Sequence, residues 1–193
     1  MIKAIIFDCF GVVITDAMLV VQQELDAKDP VAGQHMHDLI RANYRGIISP
    51  EESNKGIAEL LDIPVDEFRD RIDHGEVKDH RVLEYAKELR RTYKTGMLSN
   101  IARPSLNRRF TSQELDEYFD VVVVSGDIGY AKPEAEAYEI VADRLGVRLD
   151  ECIFIDDRAE FCEAARSVGM QGVCYTSLAR CKVDIERILS LQK

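Results

Sequence analysis

Ala4-Ile5-Ile6-Phe7-Asp8-Cys9-Phe10-Gly11-Val12 decides the fold, because four consecutive apolar residues run straight into an acid. A short run that is apolar at every position suits a strand buried in a parallel sheet with helices on both faces. An acid placed where such a strand emerges stands at the carboxyl edge, the side on which open α/β sheets bind ligands. Asp8 is therefore the candidate nucleophile. Phe10, two residues on, carries a ring that can neither give nor take a proton, so this pair sets what the edge can do.

Working outward, strand-like runs recur at Lys3 to Phe7, Gly96 to Leu98, Val121 to Val124, Cys152 to Ile155 and Gly172 to Cys174. Between the later ones lie stretches of helical spacing, such as Leu83, Ala86 and Leu89, then Tyr138, Val141, Ala142 and Leu145. Strand alternating with helix predicts an α/β fold with a parallel sheet. The stretch 16–78 breaks the alternation with three or four helical patterns and no strand. Asp29-Pro30 and Ser49-Pro50-Glu51-Glu52 read as breaks or helix starts within it. We expect a helical cap at 16–78 and a core made of 1–15 and 79–193, with the cap hanging over the edge where Asp8 emerges.

Two further strands end on chemistry. Gly96-Met97-Leu98 leads into Ser99-Asn100, and Cys152-Ile153-Phe154-Ile155 leads into Asp156-Asp157. Between them Lys132-Pro133-Glu134 reads as a loop whose proline fits the first turn of the next helix. Three carboxylates crowded at one edge are costly without a hard cation, and an oxygen-only ligand set favours Mg²⁺. With a metal and Lys132 neutralising a phosphoryl group and Ser99 donating to its oxygens, Asp8 is placed to attack in line and form an aspartyl-phosphate that water hydrolyses. Asn100 joins Ser99 and Lys132 as a substrate-binding candidate.

The order and strand-end placement of these residues resemble the haloacid dehalogenase-like hydrolase superfamily over nearly the whole chain. Its four motifs match at Asp8, Ser99, Lys132 and Asp156-Asp157, and the helical insertion falls where the helical cap type follows the first motif. The resemblance implies a Rossmann-like core with strand order 5-4-1-2-3. It also implies Mg²⁺ held by Asp8, the main-chain carbonyl of Phe10, Asp156 and Asp157. Phe154-Ile155-Asp156-Asp157-Arg158, Lys132-Pro133-Glu134 with Tyr138, and Arg45-Gly46-Ile47-Ile48-Ser49 look like the branch holding haloacid dehalogenases and certain sugar-phosphate phosphatases.

Most phosphatases of that superfamily carry a second Asp where this chain has Phe10. Lacking that general acid costs about 10²- to 10⁴-fold on a plain alkoxide leaving group, so slow or selective hydrolysis is the expectation. Two other readings stay open. Haloacid dehalogenases carry an aromatic residue at the same spot, and halide needs no proton to leave, but their fourth motif lacks the acidic pair kept here. A fold retained as a binding module without turnover is the third.

Length, charge and cysteines narrow the partners. The 193 residues allow one core with an insertion. A formal net charge of −10 disfavours phosphate backbones and anionic membranes. No stretch approaches the roughly 20 apolar residues of a membrane span, and the chain opens on a strand without a signal layout, so we expect a cytoplasmic protein acting on a small phosphorylated molecule. The five cysteines contain no C-x-x-C pair and read as reduced thiols, Cys9 packing away from Asp8. His35 and His37 diverge around a helix axis instead of converging on a metal. Asp16 reads as a helix cap and Arg158 as a salt bridge or charge neutraliser, while Tyr44 and Arg45 are possible substrate contacts from the cap.

Overall fold

The computed structural model describes residues 1–191, so positions 192 and 193 of the expected core segment lie outside it. Five strands, β1 (Ala4–Phe7), β2 (Lys94–Ser99), β3 (Val121–Val124), β4 (Cys152–Asp156) and β5 (Gln171–Cys174), pair in parallel in the order β3-β2-β1-β4-β5. Read from the other edge, this is the predicted 5-4-1-2-3 arrangement.

The largest difference in strand bounds is at β2, which begins at Lys94 instead of Gly96. Its first two residues are polar, and their polarity is absorbed by partners remote in sequence. Lys94 Nζ donates to Leu145 O at 2.5 Å, while Thr95 donates from its amide to Asp120 at 2.8 Å and from its hydroxyl to Tyr118 O at 2.8 Å. Lys94 is exposed, and Thr95 is buried with its bonds made, which costs little, so strand pairing extends past the apolar run.

Four helices follow β1 without an intervening strand: α1 (Ala17–Lys28), α2 (Pro30–Tyr44), α3 (Pro50–Leu61) and α4 (Val65–Gly75). Their starts are written locally. Asp16 accepts from Leu19 N at 2.9 Å, Asp29 accepts from Val31 N at 3.0 Å with Pro30 in the first turn, and Ser49 and Glu52 cap each other's backbone amides. The remaining helices are α5 (His80–Leu89), α6 (Arg103–Asn107), α7 (Ser112–Tyr118), α8 (Ser125–Ile128), α9 (Ala135–Leu145), α10 (Ala159–Ser167) and α11 (Leu178–Ser190).

Period-2 alternation splits the sheet's side chains between two layers. Ile5, Phe7, Met97 and Ile155 pack with Val82 and Leu83 of α5 and Ile185 of α11. Ala4, Ile6, Leu98 and Phe154 pack with Tyr138 and Val141 of α9 and Phe161 of α10. Each large side chain so buried contributes roughly 1.5–3 kcal/mol.

The four-helix insertion has its own cluster, built from Val21, Leu25, Met36, Ile57 and Phe68. Its two chain crossings are tied side by side. Thr15 N donates to Val77 O at 3.1 Å and Asp79 N to Val13 O at 2.8 Å. The Thr15 hydroxyl also donates to Gly75 O at 2.6 Å and accepts from Val77 N at 2.7 Å. No helix among the described residues is long and apolar enough to cross a membrane.

Candidate active site

Sheet register decides which groups meet. Phe7 is level with Met97 on one side and Ile155 on the other, so the residues that follow, Asp8 just past β1 and Asp156 at the end of β4, stand at the same height. Asp8 N donates to Ile155 O at 2.8 Å and keeps the first residue beyond β1 in line. One oxygen from each of Asp8, Asp156 and Asp157 lies within 4.8 Å of the others.

The lysine arrives from the loop before α9. Asn100 pairs with its backbone in both directions, Nδ2 donating to Lys132 O at 2.9 Å and Oδ1 accepting from Lys132 N at 2.8 Å. This fixes Lys132 Nζ between Asp8 Oδ1 at 2.7 Å and Asp156 Oδ2 at 2.6 Å, with the lysine side chain 1% exposed. Asn100 thus positions Lys132 from the backbone side. Pro133 does not stand in the first turn as expected, because α9 starts at Ala135 with Glu134 as its flanking residue. The Glu134 carboxylate instead accepts from Ala131 N at 2.9 Å and ties the loop into a turn ahead of the helix.

Turning back over the site, Gly11 adopts φ +82°, and a Cβ there would fall 2.2 Å from Asp157 Oδ2. Only glycine tolerates both conditions, so the chain turns closely enough for Asp157 to join the cluster.

Charge at the site is unbalanced. Burial first and Asp156 second push the Asp8 carboxyl well above its ordinary range, with Lys132 opposing. Burial, then Asp156 and Asp16, push Asp157 up to about 6. Burial works against the charge on Lys132, yet Asp156 and Asp8 outweigh it and hold the ammonium above the usual lysine range. One buried cation thus serves three clustered acids, and a further hard cation would relieve the excess. The donors are all oxygens, the set that Mg²⁺ takes.

Ser99 supplies an independent sign of a ligand. It is fully buried at the end of β2, and its Oγ is the one buried side-chain polar atom without a hydrogen-bond partner among the described residues. Such an orphan is rare, and a phosphoryl oxygen would satisfy it.

Phe10 packs its ring under Arg109, 5.3 Å from the guanidinium carbon. The ring offers no ligand atom, so any bond from this residue to a metal belongs to its carbonyl. Phe10, Asn100 and Arg109 of the core and Asp16, Tyr44 and Phe68 of the insertion line a shared cavity of about 290 Å³. Burial first and then Asp16 raise the Tyr44 phenol.

Arg45 pairs with Glu134 at 2.9 Å, and the Arg158 guanidinium pairs with Glu160 and lies 4.5 Å from the Phe161 ring. Asp16 is the cap of α1, as read, and also lines the cavity. Cys9 is buried in the sheet's packing layer, and burial first, then Asp8, raises its thiol well above the usual range. All five cysteines are free. His37 is committed to Asp26 at 3.0 Å.

Sequence reasoning missed Arg109 and its partner Glu76, which follows α4. Nothing in either local stretch marks them, since Asn107-Arg108-Arg109 and Gly75-Glu76 read as ordinary polar loops. The pair is formed across 33 residues.

Comparison with known proteins agrees with this architecture. The profile of the haloacid dehalogenase-like hydrolase family matches residues 2–169. A sesquiterpene phosphatase of Aspergillus oryzae is 30% identical over 93% of this chain and 93% of that protein. A phosphatase of Mycobacterium tuberculosis is 35% identical over 52% of this chain, a match spanning about half (47%) of that relative's length. Among solved structures, a HAD family enzyme of Bacteroides thetaiotaomicron in complex with magnesium and inorganic phosphate superposes with a TM-score of 0.72. That match has 21% identity over 92% of this chain and 96% of the other, a likeness of fold.

Proposed function

The chain belongs to the haloacid dehalogenase-like hydrolase family, and from that premise we propose that it is a Mg²⁺-dependent phosphatase of a small phosphorylated metabolite, acting in the cytoplasm through an aspartyl-phosphate. The observation that carries the reading is the convergence of Asp8, Asp156, Asp157 and Lys132 at one sheet edge beside the unpartnered Ser99 Oγ.

Asp8, Asp156, Asp157 and the carbonyl of Phe10 would hold the metal, which when bound neutralises phosphoryl charge that would otherwise repel the nucleophile. Asp8 supplies the attacking oxygen. Lys132, held by Asn100, neutralises charge on the transferred group, and Ser99 donates to one of its oxygens. The four-helix insertion, residues 16–78, acts as a cap over the residues 1–15 and 79–193, closing the cavity against water while the phosphoryl group moves.

The acidic pair decides against 2-haloacids as the better substrate. Without a cation, Asp156 and Asp157 beside Asp8 repel a carboxylate; with one bound, the site is built for phosphate. The test is hydrolysis of para-nitrophenyl phosphate, acetyl phosphate and glucose 1-phosphate, with and without Mg²⁺, beside Asp8→Asn. Turnover that requires both the metal and Asp8 is expected. Activity retained in Asp8→Asn would refute the mechanism, and silence on all three would return attention to dehalogenation and to a binding role.

A further inference from the structure

Phe10 leaves the leaving group without a proton donor, and the residue that meets the Phe10 ring is a cation. Arg109 is only 13% exposed and is held from two sides, its Nε paired with Glu76 and its Nη1 donating to Ser105 O at 2.7 Å. Its Nη2 has no protein partner among the hydrogen bonds of the described residues, and Arg109 lines the cavity that it shares with Phe10 and Asn100. Glu76 is itself nearly buried, with a side chain 6% exposed. A half-buried arginine kept in place by a half-buried acid, with one donor nitrogen uncommitted beside the nucleophile's loop, is a preorganised anion site. Neighbouring Arg108 also lines this cavity and makes no ion pair among the described residues.

We propose that Arg109 stabilises the leaving oxygen as an anion, in place of the missing proton donor, and that the substrates are accordingly phosphates whose leaving group departs readily as an anion, namely acyl phosphates or phosphoanhydrides with a small apolar body. This rests on the phosphatase reading above and names its substrate class. As Asp8 forms its bond to phosphorus, the bridging P–O bond breaks and its electron pair stays on the bridging oxygen, which accepts a charge-assisted hydrogen bond from Arg109 Nη2 with no proton transferred. One water then cleaves the aspartyl-phosphate, regenerating the carboxylate and giving dihydrogen phosphate, which keeps both of water's hydrogens.

The apolar body follows from the cavity wall. Met18, Ile40, Phe68, Ile72 and Ile101 line it together with the Phe10 ring, and its volume of about 290 Å³ is small for a ligand cavity. A short hydrocarbon or aromatic group would cover these apolar side chains, while Asn43, Ser53, Asn54 and Asp73 on the same wall offer partners for a polar substituent on it.

The experiment is kcat/KM on a series with Mg²⁺ present: nitrophenyl, phenyl and alkyl phosphates, with benzoyl phosphate and an alkyl diphosphate as the acyl and anhydride arms. It is run on the wild type, Asp8→Asn, Arg109→Lys, and the double variant Arg109→Met/Glu76→Met, which removes both charges so that no buried acid is stranded. In the wild type, benzoyl phosphate or the diphosphate should be hydrolysed at least ~10² times faster than alkyl phosphate, the worth of an absent general acid. The double variant should lose about 10²- to 10³-fold on phenyl phosphate and far less on nitrophenyl phosphate, steepening the dependence of rate on leaving-group basicity, with Arg109→Lys between. An equal loss on every substrate, or an unchanged slope, would make Arg109 a structural residue and overturn the proposal while leaving the phosphatase standing. Absence of Asp8-dependent turnover throughout would overturn both.

Discussion

Removing the cation at the centre of the site should cost more than any other single charge change in this protein. Lys132→Met takes away the ammonium that stands 2.7 Å from Asp8 and 2.6 Å from Asp156, with side-chain exposures of 1%, 8% and 0% for the three. Deleting one partner of a buried pair costs about 3–5 kcal/mol, because the abandoned charge stays desolvated. Here two acids are abandoned, so the upper part of that range is expected, against a total of about 5–15 kcal/mol for a typical protein.

The cost should depend on pH, and its sign can be worked out. Asp8 already has a folded pKa raised above its unfolded value, by burial and then by Asp156. Such a group binds its proton more tightly when folded, and the stability this contributes is present below the unfolded pKa and lost as pH rises through the folded one. Without Lys132 nothing offsets that loss, so the deficit of the variant widens as pH rises, with a slope of up to about 1.4 kcal/mol per pH unit for each proton taken up on folding.

Urea unfolding of both proteins, followed by far-UV circular dichroism in the presence of a chelator from about pH 5 to about pH 8, measures this. A deficit that fails to shrink toward the acid end would refute the coupled-cluster account. So would one below about 1 kcal/mol, the value of a solvent-exposed pair.

Three further outcomes are expected. Phe10→Asp should raise alkyl phosphate hydrolysis, by up to the ~10²–10⁴ that a general acid contributes; an unchanged rate would show that leaving-group protonation does not limit. Gly11→Ala should destabilise the fold by more than the roughly 1–2 kcal/mol of a left-handed alanine, since its Cβ would also strike the Asp157 carboxylate, and should weaken the calorimetric response to Mg²⁺; unchanged metal affinity would separate Gly11 from the site. Tyr138→Phe should cost about 1–3 kcal/mol in denaturant, because the buried hydroxyl donates to Phe161 O at 2.9 Å and would leave that carbonyl unsatisfied; a neutral result would mean that water enters the gap.

Strand positions and the identities of the edge acids were legible because both are local signals. Apolar runs such as Val121–Val124 mark buried strands through the residues themselves. Asp8, Ser99 and Asp156 are noticeable because polar groups at the ends of such runs sit where a parallel sheet opens. Capping residues were legible for the same reason, as Asp29 and the Ser49/Glu52 pair act on amides within three positions. Pro133 as a first-turn proline failed because the Glu134 side chain closes a turn on Ala131 before the helix begins.

What tertiary structure alone decided is which side chains face one another. That Lys132 would be clamped between two acids, that Asn100 would spend its amide on the lysine's backbone, and that Arg109 and Glu76 would meet beside Phe10 all depend on segments 24 to 124 residues apart. Sequence determines such pairs only through the whole fold, because a charge in a loop carries no periodicity and its partner is selected by sheet register and by where the inserted helices land. The chain's residue order therefore specified acids at the ends of buried strands and a phenyl ring at position 10, while three-dimensional packing gathered the acids around Lys132 and set Arg109 against that ring.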